Sequence, residues 1–432
     1  MRTFLLGLAF SLLLGSVTIT AATAATVSPI AVINENFADP DVLHADGSFF
    51  AYSTSSPRGS RVPVASAPSP TGPWTMRGDA LPGKPAWAAD GGFWAPDVSR
   101  RADGRYLMYF SAPNAAAGGR MCIGAATSTS PTGPFEADSN PLVCRTDEGG
   151  QIDPAAFVDS DGARYLLYKN EGKDVGKPMN IWLQQTVADG IAFTGERTEL
   201  IRADQPHEAG VVEAPTLIRR GSQYVLVYSA GSFAGSDYFT NYAVSPTLRG
   251  KYTKASKALM TTTALNGAVQ GPGGADAHTD QIFFHGWVNG ARWMYTAEMG
   301  WANDFPVVRG SRVRYEAEHG TINHAEIRSG VHGASQSAVV GKIDHADSWV
   351  DITVYAPRAG GYTAHVSYAA GYGDAEHTVI VNATTQFVLT YPNRGWGNWT
   401  ETTAELNLNA GWNTMRFQHR SRWAELDHIE LS

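Results

Sequence analysis

The sequence predicts an all-β protein, a five-bladed β-propeller followed by a β-sandwich of the jelly-roll kind. Three observations predict it. A strand-like phrase recurs five times between residues 37 and 301, a proline marks a second position in every repeat, and from about Arg314 the repeat gives way to longer alternating strands. The 45 Gly and 23 Pro among 432 residues suit many short strands joined by tight turns.

The recurring phrase is a turn followed by alternating aromatics. It reads DGSFFAY ending at Tyr52, DGRYLMY at Tyr109, DGARYLLY at Tyr168, GSQYVLVY at Tyr228 and TDQIFFH at His285, at intervals of 57 to 60 residues. Units of that size, each with room for several short strands, fit propeller blades better than a sandwich. A second phrase keeps the same order: SPTGPW at Ser69, SPTGPF at Ser130 and the looser SPTLRGKY at Ser245.

About a dozen residues before each anchor lies a short proline segment: Asp39-Pro40, Ala95-Pro96-Asp97, Asp153-Pro154, Glu213-Ala214-Pro215 and Gly271-Pro272. Proline cannot donate to a ladder and belongs at an edge or a strand start. The first strand of a blade is such an edge and lines the central channel. Polar side chains there converge on the axis, so Asp39, Asp153 and Glu213 are expected to meet in space.

Three carboxyls around one channel suit hydrolysis of a glycosidic bond, which needs one protonated and one ionised group. Glu213 lies in the apolar run VVEAPTL, where burial raises a carboxyl pKa and lets the group hold a proton for a leaving oxygen. A buried Glu paired with a basic neighbour is the other reading of that segment. With three carboxyls in register, Glu213 is assigned as general acid, Asp39 as the base that activates water, and Asp153 as the group that orients Glu213 and keeps its proton on. Carboxyls on different sides of a channel leave space for a water, which favours inversion. Trp94 in GGFWAPDV is a sugar platform or a core residue, Arg292 a partner for a carboxylate or a surface residue, and Phe37 a pocket or core residue.

The opening residues, Arg2, an apolar run from Phe4 to Leu14 and small residues Ala21 to Ala25, have the three parts of a secretory signal peptide, residues 1–25. An exported protein is expected, and its two cysteines, Cys122 and Cys144, are expected to pair in an oxidising compartment. The net charge of −8 and the absence of a basic run argue against nucleic acid and anionic membranes as partners. The propeller is assigned to residues 30–308 and the second domain to 314–432, with a junction short enough for the two to touch. A monomer is expected.

The ordered set NFADPDV, FWAPDV, QIDPAAF, VVEAPTL and GPGG resembles glycoside hydrolase family 43, the five-bladed arabinofuranosidases, xylosidases and arabinanases. The resemblance implies base, modulator and acid at Asp39, Asp153 and Glu213, and a channel tryptophan and late arginine at Trp94 and Arg292. One departure stands out. Many members read Gly-Pro-Gly-His in the last inner strand, sometimes beside a metal; this chain has Gly274 there, with His278 four residues on as the replacement weighed. No cofactor is required for the chemistry, and a metal in the propeller stays open.

The C-terminal stretch, with YEAE and ELDHIEL, resembles carbohydrate-binding modules of family 35 or 6. That resemblance implies a structural calcium ion held by Glu316, Glu318 and Asp427, a use of oxygen ligands suited to a hard cation; from the residues alone, Glu316 and Glu318 read as a solvated edge. Ligand contacts are expected from Tyr372, Trp396, Trp399 and Trp423, at least two of them core. The implied activity is that of an exported, inverting, exo-acting α-L-arabinofuranosidase on plant cell-wall polysaccharide. A β-xylosidase, an endo-arabinanase and a non-catalytic sugar-binding propeller are the alternatives.

Overall fold

The computed structural model describes residues 29–57 and 59–432; the expected signal peptide lies outside them. It is built almost entirely from antiparallel sheets. Residues Ile30 to Val308 form five of them. Their first strands are Asp41–Ala45, Trp94–Arg100, Gln151–Val158, Val212–Arg220 and Gln270–Ala277, and each runs into a meander with its chain neighbours. The first strands touch one another in sequence, and that of the fifth sheet touches that of the first. The fifth sheet takes its outer strand from the other end of the chain: Ile30–Ile33 pairs with Ala291–Ala302, Ile30 opposite Thr296. Among the described residues, no helix is long and apolar enough to cross a membrane.

The five anchor phrases are the second strands of the five sheets. Their alternating aromatics fill the space between neighbouring sheets, and Tyr52, Tyr109, Tyr168 and Tyr228 are fully buried. Each phenol reaches a partner: Tyr52 donates to the Pro131 carbonyl and Tyr109 to that of Gly190, while Tyr168 and Tyr228 donate to the side chains of Gln184 and Glu208. The last residues of the anchors are not all equivalent, however. Strand pairing sets Tyr52 and Tyr109 opposite Asp41 and Asp97, whereas the matching partners in the later sheets are Leu167, Val227 and Phe283, opposite Ala155, Thr216 and Asp276. Tyr168 and Tyr228 thus stand one residue, and His285 two residues, beyond the matching position. Cys122 and Cys144 are joined in a disulfide.

From Val313 the chain forms two facing sheets. One runs Glu326–Ser329, Ala338–Gly341, Glu425–Leu431, Gly360–Ala369, Thr400–Leu408, with Val313–Glu316 added on Glu425–Leu431; the other runs Thr321–Asn323, Trp349–Ala356, Gly411–Ser421, Ala375–Val381, Thr385–Tyr391. Their alternating inward residues, among them Val340, Val354, Val366, Val379, Phe417 and Ile429, make one closed core. This unit rests on the first. The Tyr355 hydroxyl accepts from the Trp301 amide at 3.1 Å, and Lys257 of the first unit pairs with Glu430 of the second at 3.1 Å.

Candidate active site

Each inner strand carries the same local distortion. Asp39, Ala95, Asp153, Ala214 and Gly274 all have positive φ, between 42° and 57°, and in four of the sheets the ladder slips at that point. Such backbone is uncommon outside glycine and is kept only where surroundings enforce it. Here it tips the inner edge so that side chains at and just before the bulge face the top of the channel. Asp39 and Asp153 are bulge residues; Glu213 stands one residue earlier, in line with Trp94 and Ile152. All five line one cavity of about 600 Å³ with Thr54, Lys169, Tyr238 and Arg292. The proline segments are therefore not strictly in register: the fifth sheet's bulge is at Gly274, not beside Pro272.

What holds the bulges is a row of second-strand side chains. Thr54 Oγ1 accepts from the Ala95 amide (2.9 Å), Ser111 Oγ from Asp153 (3.2 Å), Ser229 Oγ from Gly274 (2.9 Å) and His285 Nδ1 from Asp39 (3.1 Å). Every one fastens the bulge of the next sheet. In the third sheet the equivalent residue is Lys169, which has no acceptor atom. There the Ala214 amide donates instead to Asp153 Oδ2 at 2.9 Å, and the lysine is free for Glu213.

Below this ring lies a second. Asp41 and Asp276 accept from the amides of Val98 and Val42, both at 2.8 Å, and Asp97 from that of Ala156. These carboxyls clamp one inner strand to the next. Burial, reinforced by like charges nearby, pushes Asp41 up and Asp97 up to about 7.

The three predicted carboxyls differ in surroundings. Burial would raise Asp39, but Arg292 Nη1 at 3.1 Å from Oδ1, His285 and the Thr54 hydroxyl at 2.6 Å from Oδ2 hold it below the usual carboxylate range. Burial pushes His285 down to about 3, so it is neutral and its Nδ1 accepts. Asp153 is pushed up to about 8, first by burial and then by the Glu213 charge, against the pull of Lys169. Glu213 has both oxygens engaged: Lys169 Nζ lies 2.8 Å from Oε2, and the Tyr238 hydroxyl donates to Oε1 at 2.8 Å. The carboxyl that keeps its proton is thus Asp153, and the basic partner weighed for Glu213 is Lys169, which also pairs with Glu171 at 3.0 Å.

Two expected substrate contacts are elsewhere. Phe37 is fully buried in the core beside Ile33, Val42 and Phe283; its amide donates to the Arg292 carbonyl at 2.7 Å, so it steadies the arginine's strand rather than touching the cavity. His278 lies outside the cavity lining, with Nε2 3.0 Å from Asp276 Oδ2. Trp94 is 40% exposed at the cavity wall. Sequence spacing does not mark Lys169, Tyr238, Thr54 or His285 as site residues, though Lys169 and His285 are conspicuous as polar residues in anchor strands largely aromatic and aliphatic.

In the second unit, Glu316 ends the first strand, Glu318 lies in the turn Ala317–His319, and Asp427 is on the last strand. They are no solvated edge. Glu316 Oε2 and both oxygens of Glu318 are shielded from water with no hydrogen-bond partner, and donor atoms of Glu316, Asp427 and His428 lie within 4.8 Å of one another. Orphaned carboxylate oxygens suit a hard cation. None of the four loop aromatics is core: Tyr372, Trp396 and Trp423 are exposed and meet edge to face at 5.5 Å and 5.2 Å around Tyr372, and Trp399 is partly exposed.

The model of the glycosyl hydrolases family 43 matches residues 28–298. The chain belongs to glycosyl hydrolase family 43. The model of the family 35 carbohydrate binding module matches residues 313–432. The probable arabinan endo-1,5-alpha-L-arabinosidase A of Aspergillus flavus is 31% identical over 265 residues, 57% of this chain and 78% of that protein. Two solved structures share the fold. A thermostable family-43 glycoside hydrolase, 24% identical, gives a TM-score of 0.59 over 66% of this chain and 95% of its own. The exo-beta-1,3-galactanase of Phanerochaete chrysosporium, 20% identical, gives 0.51 over 94% and 100%.

As a family 43 glycoside hydrolase the chain solves its missing histidine locally. A side chain on Gly274 would meet the His285 ring at 2.6 Å and Asp39 Oδ1 at 2.9 Å, and one on Gly273 would meet the Tyr238 ring at 2.1 Å. The two glycines clear the space into which His285 and Tyr238 stack, 5.7 Å apart. The histidine beside Asp39 thus comes from the neighbouring strand. His285 Nε2 has no protein partner, but among the described residues no three metal-donor side chains converge on it, and no step is derived through a metal there.

Proposed function

We propose that this family 43 hydrolase is an exported, inverting, exo-acting α-L-arabinofuranosidase that works on arabinan or arabinoxylan of plant cell walls. The five sheets are read as the five blades of a propeller whose channel top is the active site. One observation carries the mechanism: of the carboxyls on a single cavity, Asp39 is kept ionised by Arg292 while Asp153, beside Glu213, retains a proton. Ionised Asp39 takes a proton from a water, which attacks the anomeric carbon. Glu213 protonates the leaving oxygen from the other side of the sugar. The Tyr238 hydroxyl, which can donate or accept, turns when Glu213 carries the proton, and Lys169 balances the charge once it is given up. Asp153, protonated up to about pH 8, places no second charge beside Glu213 below that pH; above it the ionised Asp153 opposes loss of the Glu213 proton by like-charge repulsion.

Arabinofuranose is favoured by the arabinan-cleaving activity for which the Aspergillus relative is named. The exo reading is favoured by the cavity, walled by residues of all five sheets, Thr54, Trp94, Asp153, Phe233 and Arg292 among them. An endo-arabinanase is the second reading, because that relative is named as one. In the C-terminal module we read Glu316, Glu318 and Asp427 as calcium ligands and Tyr372, Trp396 and Trp423 as the sugar-facing surface. Hydrolysis of nitrophenyl arabinofuranoside against nitrophenyl xyloside, with product analysis on arabinan and arabinoxylan, tests the assignment. Release of arabinose alone is expected; a ladder of oligosaccharides would favour the endo reading, and preference for the xyloside would overturn the sugar.

A further inference from the structure

We infer that the leaving-group part of the substrate, a chain of further sugar residues, lies in a groove running outward over the fourth sheet from Glu213. For the identity of the sugar this rests on the function proposed above; for its place it rests on geometry. A second cavity of about 530 Å³ adjoins the catalytic one, and the two share Ala209, Gly231, Ser232 and Tyr238 as walls. Three of these are small, and the fourth donates its hydroxyl to Glu213. The second cavity therefore begins at the group that protonates the leaving oxygen. A general acid stands on the leaving-group side of the scissile bond, so the sugars beyond that oxygen are directed to this side of the cavity.

The groove is lined and rigid in the way a neutral polyhydroxylated chain requires. On one side stands exposed His207, its ring 5.7 Å from that of Phe239; on the other are Ser236, Asp237 and the run Thr261 to Thr263. Thr262 ties that wall down, donating to the Ser236 carbonyl at 2.8 Å and accepting from the Gly271 amide at 2.9 Å. The loop between the two cavities is pinned at its tip, where Trp287 Nε1 donates to the Phe233 carbonyl at 2.7 Å. At Gly231 a side chain would strike the Asp237 carbonyl at 2.4 Å, so the loop is folded tightly back and leaves the passage open. Convergent hydroxyls beside a flat ring, on fixed elements, are the furniture of an oligosaccharide subsite.

The test uses the full chain and two substrate series, α-1,5-linked arabino-oligosaccharides and β-1,4-linked xylo-oligosaccharides, from disaccharide to tetrasaccharide. On the series that is cleaved, kcat/KM should rise about tenfold from disaccharide to tetrasaccharide. Thr263→Trp, which fills the groove from an exposed turn, and His207→Ala, which removes the facing ring, should each cut that rise to less than twofold. Rates independent of length, or a rise that survives both substitutions, would overturn the groove. Cleavage of the xylo-oligosaccharides alone would overturn the arabinose reading and leave the groove to be judged on that series.

Discussion

Lys169 and His285 hold the same place in the third and fifth sheets, and each bears on a different carboxyl of the cavity: Lys169 Nζ lies 2.8 Å from Glu213 Oε2, and His285 Nδ1 3.3 Å from Asp39 Oδ1. In the other sheets that place holds a small hydroxyl residue that fastens a bulge, and Thr54 alone of these also donates to a cavity carboxyl, Asp39, at 2.6 Å. Glu213 and Asp39 thus owe part of their different surroundings to one exchange in each of two second strands.

Lys169→Met should leave Glu213 and Glu171 without their ammonium. Breaking a buried pair costs about 3 kcal/mol, which a thermal melt reads as a clear drop in Tm. Because Lys169 pulls Asp153 down, the alkaline limb of the kcat/KM profile should move to higher pH in the variant. An unmoved limb would show that the lysine only supports the fold.

Glu213→Gln should reduce hydrolysis of substrates with poor leaving groups by about 10²-fold to 10⁴-fold, the usual worth of a positioned acid, and spare those with activated leaving groups. Paired kinetics on arabinobiose and a dinitrophenyl arabinofuranoside check it. Equal losses on both would remove Glu213 from the acid role.

Much of this site was legible in the sequence because the repeat is long and its words are short. Five anchors at nearly constant spacing locate the second strands, and Asp39, Asp153 and Glu213 follow from the prolines before them. What the spacing could not carry is the bulge. A single residue of slip separates Glu213 from the position of Asp39 and Asp153, and the anchors drift by one or two residues between Tyr109 and His285. Strand alternation would set Phe37 and His278, two and four residues from Asp39 and Gly274, on the same face as those residues; the bulges break that period, and the two side chains lie outside the cavity lining. The acceptor row of Thr54, Ser111, Ser229 and His285 becomes visible only once pairing fixes what faces what. Glu318 was misjudged without the family resemblance because water shielding depends on the last strand, more than a hundred residues away.

Asp39→Ala should remove the base and leave no covalent route to product. For the native enzyme, proton NMR in the first seconds should show the released sugar with inverted anomeric configuration. Azide should restore part of the turnover of the variant by entering the space of the lost carboxylate. Retention of configuration would make Asp39 a nucleophile and sink the mechanism.

Asp153→Asn separates proton storage from stability. In the folded protein Asp153 is pushed up to about 8 from an ordinary 3.8. The folded state then binds the extra proton, so its contribution is full below about 3.8 and is lost as pH rises through 8. The variant has no such loss. Its Tm relative to the native chain should therefore climb between pH 4 and pH 8, and a constant difference across that range would contradict the shift.

Chelation should lower the melting temperature of the C-terminal module, since a cation bound only to the native state stabilises it by about 2.7 kcal/mol at a hundredfold excess over Kd. Glu318→Ala should abolish the response to added calcium. Calorimetry with and without chelator reads both, and a module indifferent to chelation would rule the ion out.

The strand Ile30–Ile33 reaches its partner Ala291–Ala302 only after nearly the whole propeller segment has been synthesised. A chain emerging amino end first must carry that strand unpaired while four sheets form, with its backbone groups open to any other edge. The last sheet is therefore both the place where the ring is locked and the step on which the slowest, most distant contact depends. Arg292 lies on that same late strand, so the charge that offsets the burial of Asp39 arrives with the closure that buries it: a chain caught short of it leaves that carboxyl in water, ionised but without the partner that fixes its place.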